Sequence, residues 1–324
     1  MSEIVVSVVM TVYNHEKYIE KAIKSVLEQE IDFKYELLIG EDCSTDNSLS
    51  IIQEYKERYP DIIRVFTHDK NIGGQKNVYE LYMNSRGKYI AILEGDDFWC
   101  SSQKMKKQVD FLENHSEYIA CAHRFKVVDE KELNYFDKDF ECQFYQNNPY
   151  TKEILERGQM LSHVNTLMFR NIFINKNIHT DFLNKFNDLS GDYTLTALLV
   201  LNGKMYCMPE YFSCYRKVVA ANSSSFSSIQ ERNNKRDVLF QSAVDLENIL
   251  NQEYCINCEA RKKSIFASAV FKWYREPNHW NFRVVQKIIK KSNKPIKYSM
   301  WFGYLIIYRM VLNIQGKQNQ RVPF

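Results

Sequence analysis

Glycine and proline are scarce, with 10 and 6 among 324 residues, which argues against repeat, collagen-like and disordered classes. No window reaches the ~18 consecutive apolar residues that a membrane-spanning helix requires. The nearest stretch, Ser299 to Leu312, is too short and carries Arg309. The opening MSEIVVSVVM lacks the basic segment and cleavage site of a signal peptide. Eight cysteines form no framework, and the lone C-x-x-C of Cys255 and Cys258 has no second pair at zinc-ribbon spacing. A reducing cytoplasm is therefore the expected compartment. An excess of either charge is also missing. Lys and Arg number 43 against 40 Asp and Glu, so nothing in the composition suggests a nucleic-acid partner. Neither Gly-rich phosphate-loop pattern occurs, which weighs against a P-loop NTPase and a dinucleotide dehydrogenase.

What is present is core-forming material: 45% hydrophobic residues, with 21 Tyr and 20 Phe. The length suits one large domain, or one domain with an appendage. IVVSVVM (4–10) reads as a strand covered on both faces. A helical pattern follows, with Asn14 as its expected N-cap and Ile19, Ile23, Val26 and Leu27 on one side. Strands at 35–42, 62–68 and in KYIAILEG then alternate with helices. This rhythm predicts an α/β fold, a mostly parallel twisted sheet with helices on both faces. Further on, a helix follows Trp99, a strand covers YIACAHRFKVV, and another covers NTLMFR (165–170). GDYTLTALLVLNGK reads as a short helix capped by Gly203, and MYCMPEYFSCYRK as a strand. The Ser-rich AANSSSFSS breaks the pattern. It sets an expected boundary between a domain at 1–220 and a helical, increasingly basic region at 221–324.

In such sheets ligands sit at the carboxyl ends of strands. Here those ends carry MTVYN, GEDCSTD and GDD. The strand YIAIL runs into Glu94, Gly95, Asp96 and Asp97, and burying several carboxylates is costly unless something positive meets them. A solvated turn, a glycosidase-like carboxyl pair and a cation site are the three readings. A glycosidase pair needs carboxyls set apart across a sugar, which neighbouring residues arrange poorly. A hard cation, Mg²⁺ or Mn²⁺, suits the cluster better, with diphosphate oxygens completing its shell. Gly95 permits a tight turn and a close ligand. A nucleoside diphosphate would also need a base pocket: Thr11 and Tyr13 can flank a base, and Glu41 or Asp42 can accept from its N–H.

SVVMTVYNHEKYIEKAIKSVLEQ, GEDCSTDNS, NIGGQKN and GKYIAILEGDDFW, in this order and spacing, resemble the family-2 glycosyltransferases, inverting enzymes with a GT-A fold. The resemblance is specific from residue 4 to about 128 and traceable to about 217. It implies a nucleotide-sugar donor, a saccharide acceptor and a divalent metal. It implies that Thr11 and Tyr13 line the base pocket, that Glu41 or Asp42 reads the base, and that Lys76 and Asn77 lie near the nucleotide. Glu94, Gly95 and Asp96 fall on the D-x-D motif, Glu94 toward the ribose and Asp96 toward the metal. Glu replaces the commoner Asp at 41 and 94, lengthening the reach. The Q-x-x-R-W motif of processive synthases is absent, which implies single transfer rather than polymerisation. A sugar nucleotidyltransferase and an inactive nucleotide-binding relative are the alternatives. The first would want a Gly-rich loop after the opening strand, where TVYNHEKY has no Gly.

Inverting transfer needs a base for the acceptor hydroxyl. Asp192 opens a helix after Gly191 and is either an N-cap or that base. The resemblance favours the base, although the family often has an acidic residue where Gly191 stands, and Asp188 is the substitute. His163 reads as a structural histidine before an acceptor contact. Arg216 and Lys217 could meet diphosphate charge or be a surface pair, and Trp99 could line the acceptor side, although core packing is the default for a Trp at a strand end. Toward the C-terminus, Lys287, Lys290, Lys291, Lys294 and Lys297 adjoin an apolar aromatic segment. That arrangement suits either packing, against the chain or in a homodimer, or a peripheral membrane contact presenting a lipid-linked saccharide acceptor.

Overall fold

The computed structural model describes residues 3–135, 148–174, 191–217, 234–251 and 256–314. The chain forms two compact units, Met1–Leu155 with Gln159–Ala220, and Glu156–Gly158 with Ala221–Phe324.

The first unit is built on one twisted sheet. Strands β1 (Val6–Val12), β2 (Tyr35–Glu41), β3 (Ile63–Thr67) and β4 (Tyr89–Glu94) alternate with helices α1 (Ile19–Leu27), α2 (Ser48–Arg58) and α3 (Gly74–Asn84). After β4 come β5 (Phe98–Trp99), α4 (Lys104–Asn114), β6 (Tyr118–Val128) and β7 (Asn134–Tyr135). Then follow α5 (Lys152–Glu156), a 3₁₀ turn at Val164–Thr166, β8 (Met168–Arg170), α6 (Gly191–Leu201) and β9 (Lys204–Arg216). The strand order is β3-β2-β1-β4-β8-β6-β9-β5, with β7 on β6.

β1 to β4 pair in parallel, as the alternation of elements predicts. The long β6–β9 ladder is also parallel. The sheet is nevertheless mixed, because β8 is inserted antiparallel between β4 and β6. β1 is apolar on both sides because both faces are covered. Val6, Val8, Met10 and Val12 pack with Ile19, Ile23 and Val26 of α1 and Met105, Val109 and Leu112 of α4, while α3 lies against the opposite face.

Two expected caps are corrected. Asn14 is not the N-cap of α1, which begins at Ile19. It has φ +58°, and its Oδ1 accepts the Thr45 N–H at 2.8 Å. The loop after β1 is instead laced to the loop after β2: His15 N–H donates to Ser48 Oγ, and Glu16 N–H to Asp46. Gly203 supplies no left-handed cap, since only Gly73 and Gly158 among the described glycines have positive φ. It is small because a Cβ there would lie 3.0 Å from Ile119 Cβ. The expected strand over 165–170 is shortened by the 3₁₀ turn, leaving Met168–Arg170.

The second unit is helical: α7 (Arg236–Leu250), α8 (Glu259–Arg275), α9 (His279–Lys291) and α10 (Pro295–Ile314). No described helix is long and apolar enough to cross a membrane. Cys258 is buried before α8, while Cys255 lies outside the described residues.

Candidate active site

The two ends of the parallel strands treat acidic side chains in opposite ways. Toward the amino ends, Glu36 is fully buried, and its carboxylate is met by Ser7 Oγ at 2.6 Å, Arg86 Nη2 at 2.6 Å and Arg64 Nη1 at 3.0 Å. Burial would raise its pKa, but the hydrogen bonds from Arg86, Ser7 and Arg64 outweigh burial and hold it below the ordinary value. That carboxylate is finished structure. At the carboxyl ends the compensation is incomplete.

Register fixes the arrangement there. Val12 pairs with Glu41 on one side of β1, and Thr11 pairs with Glu94 on the other. The Gly95 N–H then donates to Thr11 O at 3.0 Å. A Cβ on Gly95 would lie 2.8 Å from His15 Nδ1 and 2.9 Å from Val12 Cγ2, so only glycine lets the turn close this tightly.

Asp97 is 1% exposed and heavily engaged: Oδ1 accepts the Arg216 N–H at 2.7 Å, and Oδ2 accepts Asn165 Nδ2 at 2.5 Å. Arg216 itself, 2% exposed, is no surface residue. Its Nε donates to Asp96 O at 2.9 Å, its Nη2 to Glu132 at 3.0 Å, and its guanidinium lies 4.5 Å from the Tyr18 ring centre. By contrast, the Asp96 carboxylate accepts no hydrogen bond and forms no ion pair with any described residue. For the half-buried Glu94, the one basic group within ion-pair reach among the described residues is His163 Nε2, at 4.0 Å.

The charge is therefore crowded. Burial, then Asp96, Asp97 and Asp192, push the Glu94 carboxyl well above its usual range. Burial and Asp96 also raise Asp97, against the hydrogen bonds from Arg216 and Asn165. His163 does not relieve this, because burial lowers it to about 4 and keeps it neutral. Glu94, Asp97 and His163 offer ligand atoms within 4.8 Å of one another, but the hydrogen bonds just described occupy Asp97. Asp96, the expected metal residue, is outside that trio and is the uncommitted oxygen donor. A divalent cation held by Asp96 and Glu94 fits this donor set, because hard cations take oxygen ligands and would offset the repulsion.

The other expected residues sort by how their atoms are used. Tyr13 is 37% exposed beside the partly buried Thr11. Glu41 Oε1 accepts the Ser44 N–H at 2.6 Å. Both Asp42 oxygens are taken, by the N–H groups of Ile72 at 2.7 Å and Gly73 at 2.9 Å. Asp42 thus anchors the loop that starts α3. Asn77 is buried and donates to Gly40 O at 2.8 Å, while Lys76 is exposed.

Asp192 is exposed in the first turn of α6 and near enough to Glu94 to raise its pKa. A Cβ on the preceding Gly191 would meet Gln75 Oε1 at 1.9 Å, so α6 starts against α3. Asp188 lies outside the described residues. Among the buried polar atoms without a partner are His15 Nδ1, Asn77 Oδ1 and Asn165 Oδ1. His15 borders Gly95, Asn77 borders Gly40 and Asn165 bonds to Asp97. Orphaned buried groups gathered at one edge mark a place where ligand or water is expected. Trp99 is in the core, 4% exposed, with Nε1 donating to Asn165 O at 3.3 Å.

The family model "Glycosyl transferase family 2" matches residues 7–176. The chain belongs to that family. Its α/β architecture is the GT-A fold. An uncharacterized Mycobacterium tuberculosis protein, Rv1520, is 30% identical over 211 residues, covering 65% of this chain and 58% of that protein. The dTDP-rhamnosyl transferase RfbG of Shigella flexneri is 36% identical over 107 residues, 32% of this chain and 36% of RfbG. Among solved structures, S. aureus TarS in complex with UDP superposes with a TM-score of 0.61 at 16% identity, covering 99% of this chain and 94% of that one.

Proposed function

We propose that this family-2 member is an inverting glycosyltransferase. It moves one sugar from a UDP- or dTDP-linked donor to a hydroxyl of a saccharide acceptor, in surface polysaccharide synthesis. One observation carries the reading: the under-compensated Glu94 and Asp96 at the end of β4, with an exposed Asp192 close by. The likeness to UDP-bound TarS and to RfbG supports the donor class.

Thr11 and Tyr13 flank the base, and Glu41 accepts from its N–H; Asp42, with both oxygens bound, holds the α3 loop in place. Lys76 and Asn77 lie on the nucleotide side, and Glu94 accepts from the ribose. Asp96 would hold the divalent cation, with Glu94 beside it. When bound, the cation offsets the negative charge of the departing diphosphate. Asp192 takes the proton of the acceptor hydroxyl as its oxygen bonds to the anomeric carbon and the bond to the diphosphate breaks. Attack opposite the leaving group inverts the configuration. Arg216 shapes the turn that carries these groups.

Purified protein incubated with a panel of nucleotide sugars should release nucleoside diphosphate from one donor class, faster when a saccharide acceptor is added. Release of inorganic pyrophosphate from a sugar phosphate and a nucleoside triphosphate would instead mark a nucleotidyltransferase and overturn the reading.

A further inference from the structure

The last 48 residues contain nine Lys and Arg and no Asp or Glu, whereas acidic residues are in excess over the rest of the chain. α9 and α10 lie in this basic stretch. On its inner side α10 is anchored by aromatic packing: Tyr298 and Trp301 meet Phe266 at 5.0 and 5.6 Å between ring centres. Its outer side is also apolar. Ile296 is 77% exposed, Met300 74%, Tyr304 49%, Ile307 64% and Met310 49%. Steps of four, four, three and three residues place them along one stripe of the helix. The stripe continues into an open cavity of about 790 Å³ walled by Ile296, Met300, Trp301 and Tyr304.

The cations around this surface are mostly uncommitted. Lys297 pairs with Glu259 at 3.1 Å and Lys287 with Asp237 at 3.3 Å. Lys263 and Lys294, which line the cavity, and Lys290 and Lys291, which end α9, form no ion pair with any described residue. An apolar strip with unpaired lysines gathered at its N-terminal end, where Glu259 is the one acidic group lining the cavity, is a poor self-association surface, because a second copy would bring like charges together. It complements a surface that is apolar in depth and anionic at its face.

We propose that α10 and the α9–α10 corner dock onto an anionic lipid bilayer. Ile296, Met300, Tyr304 and Ile307 enter the acyl boundary, and Lys263, Lys290, Lys291 and Lys294 meet the headgroup phosphates. The surface uses no residue of the proposed transfer site, so the two ideas fail independently.

The test is flotation of the full-length protein with phosphatidylcholine vesicles, with and without phosphatidylglycerol. Binding should require phosphatidylglycerol and weaken as salt is raised. Replacing Lys290, Lys291 and Lys294 together with Gln should lower the partition about a hundredfold, roughly a factor of five per lysine. Met300→Ser with Ile307→Ser should also lower it while leaving the melting temperature unchanged, since both residues are exposed. A folded chain that ignores anionic vesicles overturns the proposal, as does binding that neither set of substitutions changes. A dimer in sedimentation velocity that the serine pair dissolves would assign the stripe to self-association and overturn it as well.

Discussion

The Asp97 carboxylate accepts the backbone N–H of Arg216 at 2.7 Å, joining residues 119 apart in sequence. The bond ties the turn after β4 to the end of β9, and Asn165 Nδ2 closes it from a third element. Asp97→Ala would leave the buried Arg216 N–H without its acceptor and Asn165 Nδ2 with Cys214 O alone, at 3.4 Å. We expect urea denaturation to show a loss of about 1–3 kcal/mol, and nucleotide affinity to fall with it.

Asp96 should behave in the opposite way. Its carboxylate has no partner among the described residues and its charge repels Glu94 and Asp97, so Asp96→Asn should leave the stability in urea unchanged or raise it. In calorimetry the parent should bind UDP or dTDP more tightly with Mn²⁺ than with EDTA, and the variant should lose that difference. Equal parental affinities in both buffers would refute the cation site.

Glu41 and Asp42 are adjacent in sequence and differ in use. Asp42→Ala removes the acceptor of the Ile72 and Gly73 N–H groups and should destabilise by about 1–3 kcal/mol. Glu41→Gln keeps an oxygen for Ser44 and should change nucleotide preference more than thermal stability. The two effects are separated by pairing thermal melts with nucleotide titrations.

Asp192→Asn retains a side chain able to cap α6 but not to take a proton. Donor binding should persist while transfer falls by about 10²–10⁴-fold. Transfer near the parental rate would move the role elsewhere, with Asp188 next.

Lys104 offers a pH test of the fold. It is fully buried beside the Trp99 ring, and burial lowers it to about 7, against about 10.4 in an unfolded chain. Between these values the unfolded state binds more protons, so stability should rise as pH increases from about 7 toward 10. Below about 7 both states are protonated and the burial penalty is constant. Thermal melts should show a steeper rise in the parent than in Lys104→Met, the difference being the share due to Lys104.

The parallel half of the sheet is legible in the sequence because each strand is a short, uniformly apolar run and each helix a periodic one, as β1 and α1 show. The placement of GDD at a strand end follows from the same pattern. Non-local pairings are not legible. Nothing in NTLMFR says that it inserts antiparallel between β4 and β6. Nothing near Asn14 says that Thr45, 31 residues on, will claim its side chain. Arg216 ends a strand next to Lys217, which sequence reads equally well as a surface pair; only the fold brings Asp96, Asp97 and Glu132 around it. His163 reads as structural, and it is mostly enclosed and held neutral, yet its ring lies 4.0 Å from Glu94.

The pairing of Val12 with Glu41 and of Thr11 with Glu94 makes the sheet a ruler. Glu41 and Glu94 stand on strands two places apart, about 10 Å at the usual inter-strand spacing. Backbone hydrogen bonds set that interval, so no side-chain substitution can adjust it. The same register sets their sides: Val12 and Thr11 are successive on β1, so Glu41 and Glu94 leave the sheet on opposite faces. Under the function proposed above, a donor that met both would have to reach around the end of β1.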